Sequence, residues 1–312
     1  MKWYKLVFKQ NQPIHIGSTR WGVINETEVF IPGWTMWGAL TNQFLKTNGF
    51  DKIDESKKIF EKITNFYPMI GQGKEEPSQL QPLFPQYKGG VFSLGDYTEE
   101  EFKFKFVDTL VSTAVEPILR SAKDESLHEF EYILPRSKLD FDNISKQLYW
   151  VGLIGFEDEA IKEINSLIKN NNNNQKEVNA KKENEKLDMS DLLKQFFSKI
   201  YIGGDSKYGF GEMELIYSIN EVTEKELKEW NINESGTASI GDNYRLRQFF
   251  KFSNEVKFEG ELKLLSEFDF TQNIPRVQDA GYFINVGSKV SDFNGIDLNK
   301  YRLIKGKFIE ID

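Results

Sequence analysis

Apolar and polar positions alternate loosely from Lys2 to Lys9, among many β-forming residues, and this predicts an opening strand. The segment "QPIHIGS" continues extended and breaks at Gly17, and "TEVFIPG" predicts a short second strand ending at Pro32-Gly33. Over "WTMWGALTNQFLKTNG" the period changes. Met36, Leu40 and Phe44 recur every four residues, which predicts a helix stopped at Gly49. A further helix is expected within residues 51–65, and residues 66–98, with Pro68, Pro77, Pro82 and Pro85, read as loop.

Downstream, "EFKFKFVDTLVST" alternates strictly and predicts a strand, as does "SLHEFEYILP". "QLYWVGLIGF" is almost wholly apolar and predicts a central strand buried on both faces. "EDEAIKEINSLIKN" predicts a helix with acidic residues in its first turn, where the macrodipole favours them. "MSDLLKQFFSKI" predicts another helix, and "MELIYSIN" a strand. The polar tract near residues 170–187 has almost nothing to bury and reads as disordered.

Collapsing the insertions leaves strand, helix, strand, strand, helix, strand. That order predicts an α+β fold with a ferredoxin-like (RRM-like) module over residues 1–219. Residues 220–312 read as a C-terminal β-rich region, with "YRLRQFFKF" and "EVKFEGELKLL" as a hairpin and "AGYFINVG" as a further strand.

Composition narrows the chemistry. A chain of 312 residues with 26 Phe can bury a full core. The absence of cysteine excludes disulfides, thiolate metal sites and a cysteine nucleophile. No apolar run approaches the length of a membrane span, and the strand pattern starts at Lys2 with no signal peptide before it, so a cytoplasmic address is expected. The net charge of -8 argues against coating nucleic acid by bulk charge, although a local basic groove remains compatible with it.

The densest candidate chemistry is "IYIGGDSKYGFGEMEL", with Gly203, Gly204, Gly209 and Gly211 around Lys207, Tyr208 and Phe210. Glycines let backbone turn sharply and bring amides close to an anion, Lys207 adds charge, and the two rings offer stacking faces. A strand follows the glycines, so this is neither a Walker A loop nor a dinucleotide fingerprint. The plain structural alternative is a tight connection that needs positive φ.

Three stretches in order, "PIHIGS", "VFIPGWTMWGALTNQF" and "IYIGGDSKYGFGEMEL", resemble the RAMP superfamily of CRISPR-associated proteins. The resemblance spans roughly residues 2–218. It implies an RRM-like module closed by a glycine-rich loop, and a subunit of a type III effector complex that partners guide RNA and other effector subunits. The family's basic residue after Ile-Pro-Gly is replaced here by Trp34, Thr35, Met36 and Trp37. Amides at that helix start could still hold a phosphate, and the tryptophans could stack or pack.

The resemblance admits several readings. The first is a non-catalytic RNA-binding subunit, in the guide-RNA backbone or on its 5′ tag, with a lean to the 5′-tag, type III-D-like role. Its contacts would be Arg20, Trp21, Arg120, Lys123, Arg136, Lys138, Lys207 and Tyr208 with the loop glycines, and Arg136 and Lys138 would ride on a thumb-like hairpin. The second is a metal-dependent backbone subunit that cuts target RNA, with Asp96, Asp124 and Asp140 with Asp142 as loop-borne candidates. The third is a metal-independent guide-processing endoribonuclease using one of two histidines, His15 before His128. A scaffold without RNA contact is the remaining class. No cofactor is implied.

Overall fold

The computed structural model describes residues 1–49, 53–72, 76, 79–139, 144–162, 164, 189–219, 222–241, 244–269 and 274–311. The architecture is α+β, with mixed sheets and few helices. At its centre is a five-stranded sheet in the order β11 (Lys199–Tyr201), β12 (Glu212–Ile219), β1 (Lys2–Gln10), β10 (Gln147–Phe156) and β4 (Tyr67–Gly71), antiparallel throughout. The apolar run of β10 is buried at every position, as its composition demanded. Its register against β1 runs unbroken from Lys2↔Phe156 to Lys9↔Tyr149.

Helices α1 (Gly33–Asn48), α2 (Ile53–Ile59) and α4 (Met189–Phe197) close over this sheet through phenylalanines. Phe44 meets Phe60 and Phe196 at 5.3 Å each, and Phe60 reaches Phe156 of β10 at 6.2 Å. A buried polar link ties the sheet to β9 (His128–Ile133): Gln10 donates to the Ile133 carbonyl at 2.8 Å and accepts from the Trp150 indole at 3.0 Å. Unmade, these bonds would leave polar groups dry, so they fix the position of β9.

β9 belongs to a four-stranded sheet, β2 (Gly17–Trp21), β3 (Ile24–Thr27), β9 and β8 (Val107–Ser112). A third sheet joins β5 (Pro85–Lys88), β6 (Val91–Leu94) and β7 (Tyr97–Thr98). Past the short helix α5 (Glu224–Glu229), the C-terminal strands form β15 (Leu262–Asp269), β16 (Arg276–Ile284), β13 (Phe249–Lys251), β19 (Lys307–Glu310) and β18 (Tyr301–Ile304), with β14 (Lys257–Glu259) paired to β17 (Lys289–Asp292).

Several expectations change. "EFKFKF" is not strand but helix α3 (Glu99–Phe106), and only Val107–Ser112 is extended. Thr98 and Glu101 form a reciprocal capping box, three glutamates fill the first turn, and Phe102 and Phe106 bury together one turn apart. Phe104, which made the alternation look strict, is left 80% exposed. The second strand of the central sheet lies instead in the stretch read as loop: it is β4, an edge strand, where Pro68 is tolerated. "TEVFIPG" is extended only to Thr27, after which Ile31 makes a single bridge to Phe66. The expected hairpin after residue 244 does not form; β13 pairs with β16 and β19, because its buried Phe249 and Phe250 place it centrally. The 170–187 tract lies outside the described residues.

The start of α1 is a seam and not an anion site. The Gly33 amide donates to Asn65 Oδ1 at 2.8 Å, and the β18–β19 turn at Gly306 lies so close that a Cβ on Gly33 would strike its backbone. Trp34 packs on Phe249 at 5.2 Å, and Lys305 Nζ sits 4.0 Å over the Trp37 ring. The missing local basic residue is thus matched by a lysine from the far end of the chain, and the Gly33 amide is already engaged by Asn65.

Candidate nucleic-acid interface

The glycine-rich loop joins β11 to β12. Its neck closes on itself through the Ile202 amide, which donates to the Gly211 carbonyl at 3.0 Å. Two further amides staple it to the β1–β2 connection: Gly211 donates to the Pro13 carbonyl at 2.8 Å, and Gly204 to the His15 carbonyl at 3.0 Å. Gly203, at φ +78, lies where a Cβ would overlap the His15 carbonyl oxygen. Gly211, at φ +99, would place one 2.6 Å from the Ile202 oxygen. Those two glycines are needed for close packing at positive φ.

Beyond the neck the loop turns outward. Asp205 takes a left-handed conformation, Ser206–Tyr208 form one tight helical turn, and Gly209 reverses the chain at φ +86. Residues 205–209 are exposed, with Tyr208 at 80%. Phe210, expected as a stacking face, points inward instead. It packs edge-on against Phe130 at 5.6 Å and Tyr132 at 5.4 Å, and so docks the loop on β9. Burial raises the Tyr132 phenol above its ordinary value, with the nearby Asp108 carboxylate adding to the effect.

Both histidines join this cluster. The His15 ring meets Phe130 at 5.6 Å, and the His128 ring lies parallel to Phe130 at 6.4 Å. His15 Nδ1 is 2.7 Å from the Glu131 carbonyl oxygen. Arg20 pairs with Asn25, Asn25 with Phe130, and Phe130 with Leu110, so all four stand on the loop-facing side of the sheet. Trp21 pairs with Ile24, and Ile24 with Glu129, on the opposite side. The structure therefore brings Arg20, His15 and the glycine loop to one face and sends Trp21, 66% exposed, to the other.

The remaining basic residues sit elsewhere. Arg120 and Lys123 lie on an extension of the β8–β9 hairpin past the Ser112–His128 pair, closed by the Lys123 amide on the Ala114 carbonyl at 2.8 Å. Val115, Ile118 and Leu119 are exposed on it. Exposed Arg136 bridges Gln147. Lys138 borders a small cleft with Phe104, Lys105, Leu139, Ile144 and Lys146, and reaches Asp108 at 3.9 Å. Sequence reasoning missed Phe130 and Tyr132, whose alternation in "HEFEY" was the available signal. It did not single out Phe104 and Lys146, which line the cleft beside Lys138.

Of the metal-loop candidates, Asp96 is 3.7 Å from Lys88, Asp124 is exposed, and Asp140 and Asp142 lie outside the described residues. Among the described residues no group of three or more His, Asp or Glu could hold a metal ion, and no helix is long and apolar enough to cross a membrane.

A small mixed α+β protein with an outward glycine loop beside an aromatic strand is the class this geometry defines. Among solved structures, a chain of a type III-B Cmr-beta complex bound to cognate target RNA and AMPPnP superposes with a TM-score of 0.53, at 13% identity, over 92% of this chain and 85% of that one. A chain of Cmr-beta bound to cognate target RNA also gives 0.53, at 14% identity, over 92% and 86%. No family model matches the sequence, and no curated protein matches it.

Proposed function

We propose that this protein is an RNA-binding subunit of a type III CRISPR effector complex. The observation that carries the reading is the stapled glycine loop, whose exposed turn lies beside a face presenting Arg20, His15 and His128. Single-stranded RNA is held by such mixtures of phosphate contact and stacking, without bulk positive charge. The shared fold with chains of Cmr-beta complexes supports it. Within this reading the module is ferredoxin-like: the order β12, β1, β10, β4 carries its last, first, third and second strands side by side. We assign it residues 1–219, and residues 220–312 to a C-terminal β region that braces α1. That additional region favours a once-per-complex role on the 5′ tag over a repeated backbone role.

Co-expression with the neighbouring genes, followed by purification and nuclease treatment, tests the reading. RNA of discrete length protected by the complex is the expected result. A complex that assembles with no bound nucleotide refutes it, and leaves the scaffold reading.

A further inference from the structure

We propose that His15 reads the ribose 2′-hydroxyl, so that the glycine-loop face distinguishes RNA from DNA; this rests on the RNA-binding reading above. The argument starts from the imidazole's two nitrogens. In the neutral ring one nitrogen donates and the other accepts. Nδ1 faces the Glu131 carbonyl at 2.7 Å, and a carbonyl only accepts, so in the neutral ring the proton is on Nδ1 and Nε2 is left as an acceptor. Among the described residues nothing donates to Nε2. The ring is held edge-on against Phe130, which fixes its direction.

Two glycines uncover that edge of the ring. A Cβ on Gly17 would stand 3.7 Å from Nε2, and one on Gly204 would stand 3.4 Å from Cδ2. Neither glycine has positive φ, so the backbone requires glycine at neither position. What the two absent side chains share is access to one edge of His15. Elsewhere on the same side the surface offers donors: exposed loop backbone, Arg20 and Lys207. Donors suit phosphate oxygens. A lone acceptor repels phosphate and suits a hydroxyl, and the 2′-hydroxyl is the donor that RNA has and DNA lacks.

The test uses the full chain and three fluorescent single strands of one sequence: RNA, 2′-fluoro RNA, which cannot donate, and DNA. The wild type binds RNA about two- to tenfold more tightly than the 2′-fluoro strand, the range one hydrogen bond supplies. His15→Phe keeps the ring on Phe130 and brings that ratio to about one. Gly17→Val, which covers Nε2 without replacing the histidine, does the same, and His15→Gln, with an amide oxygen as acceptor, restores part of the ratio. Equal losses on all three strands would mean a structural role and overturn the proposal. So would a ratio unmoved by His15→Phe, or RNA shortened by the wild type and not by the variant, which would make His15 a catalytic base. RNA bound without 2′-preference sinks this inference alone; no RNA bound sinks it together with the function on which it rests.

Discussion

Replacing Gly203 by alanine tests the neck of the loop most directly. At φ +78 an L-residue costs about 1–2 kcal/mol. The new Cβ also overlaps the His15 carbonyl oxygen, so the loop and the β1–β2 connection must separate. Separation loses the Gly204 amide's bond to that same carbonyl, about 0.5–1.5 kcal/mol net. The total is roughly 1.5–3.5 kcal/mol. Gly209→Ala is the control: its φ is +86, but nothing lies within 4 Å of the added Cβ, so only the backbone cost of about 1–2 kcal/mol applies. Gly204→Ala, at an ordinary φ, should cost about 0.5 kcal/mol or less, as surface changes do. Urea unfolding gives the three stabilities, and hydrogen exchange at the Gly204 and Gly211 amides shows whether the loop has lifted. Equal destabilisation by Gly203→Ala and Gly209→Ala would refute the close-packing argument, because their backbone costs are alike and only the contact differs.

Other outcomes follow from the same geometry. Phe210→Ala should cost about 2–4 kcal/mol by thermal unfolding and speed amide exchange across the loop, since the buried ring anchors it on Phe130 and Tyr132. Lys207→Glu with Tyr208→Ala should leave the melting temperature unchanged and weaken RNA binding in a fluorescence titration, both side chains being exposed. Glu267 is held below its ordinary 4.5: burial opposes this, but the hydrogen bond and charge from Lys307 and the charge of Lys305 prevail. Its contribution to stability is therefore full above pH 4.5 and lost as the pH falls through the lower folded value. Glu267→Gln should cost about 1–3 kcal/mol at pH 7, discounted for its partial exposure, and flatten that acid limb in pH-dependent unfolding. Gly306→Ala should destabilise the α1 seam, which hydrogen exchange at the Gly33 amide would report, because its Cβ would meet Asn65 and Gly33.

Much of the central sheet was legible because local signals and tertiary demands agreed. The apolar run of β10 can be satisfied only between two covered faces, and Met36, Leu40 and Phe44 can face one core only as a helix. The glycine loop announced itself by concentrating a residue that is costly elsewhere. Legibility failed where two patterns fit one stretch. "EFKFKF" satisfies a period of two and also an i,i+4 pair, and the Thr98 capping box with the buried Phe102–Phe106 pair decided for helix.

The sequence by itself determined the α+β class, the buried strand β10, the helix α1 and the loop that carries the candidate chemistry, because each rests on burial period or backbone permissiveness within a short window. Only the tertiary structure decided which side each candidate faces. Strand pairing set Arg20 on the loop side and Trp21 on the other, Phe130 drew Phe210 inward, and a turn about 270 residues downstream closed the start of α1. Those outcomes depend on contacts between segments far apart along the chain, and no local periodicity encodes which distant surface a side chain will meet.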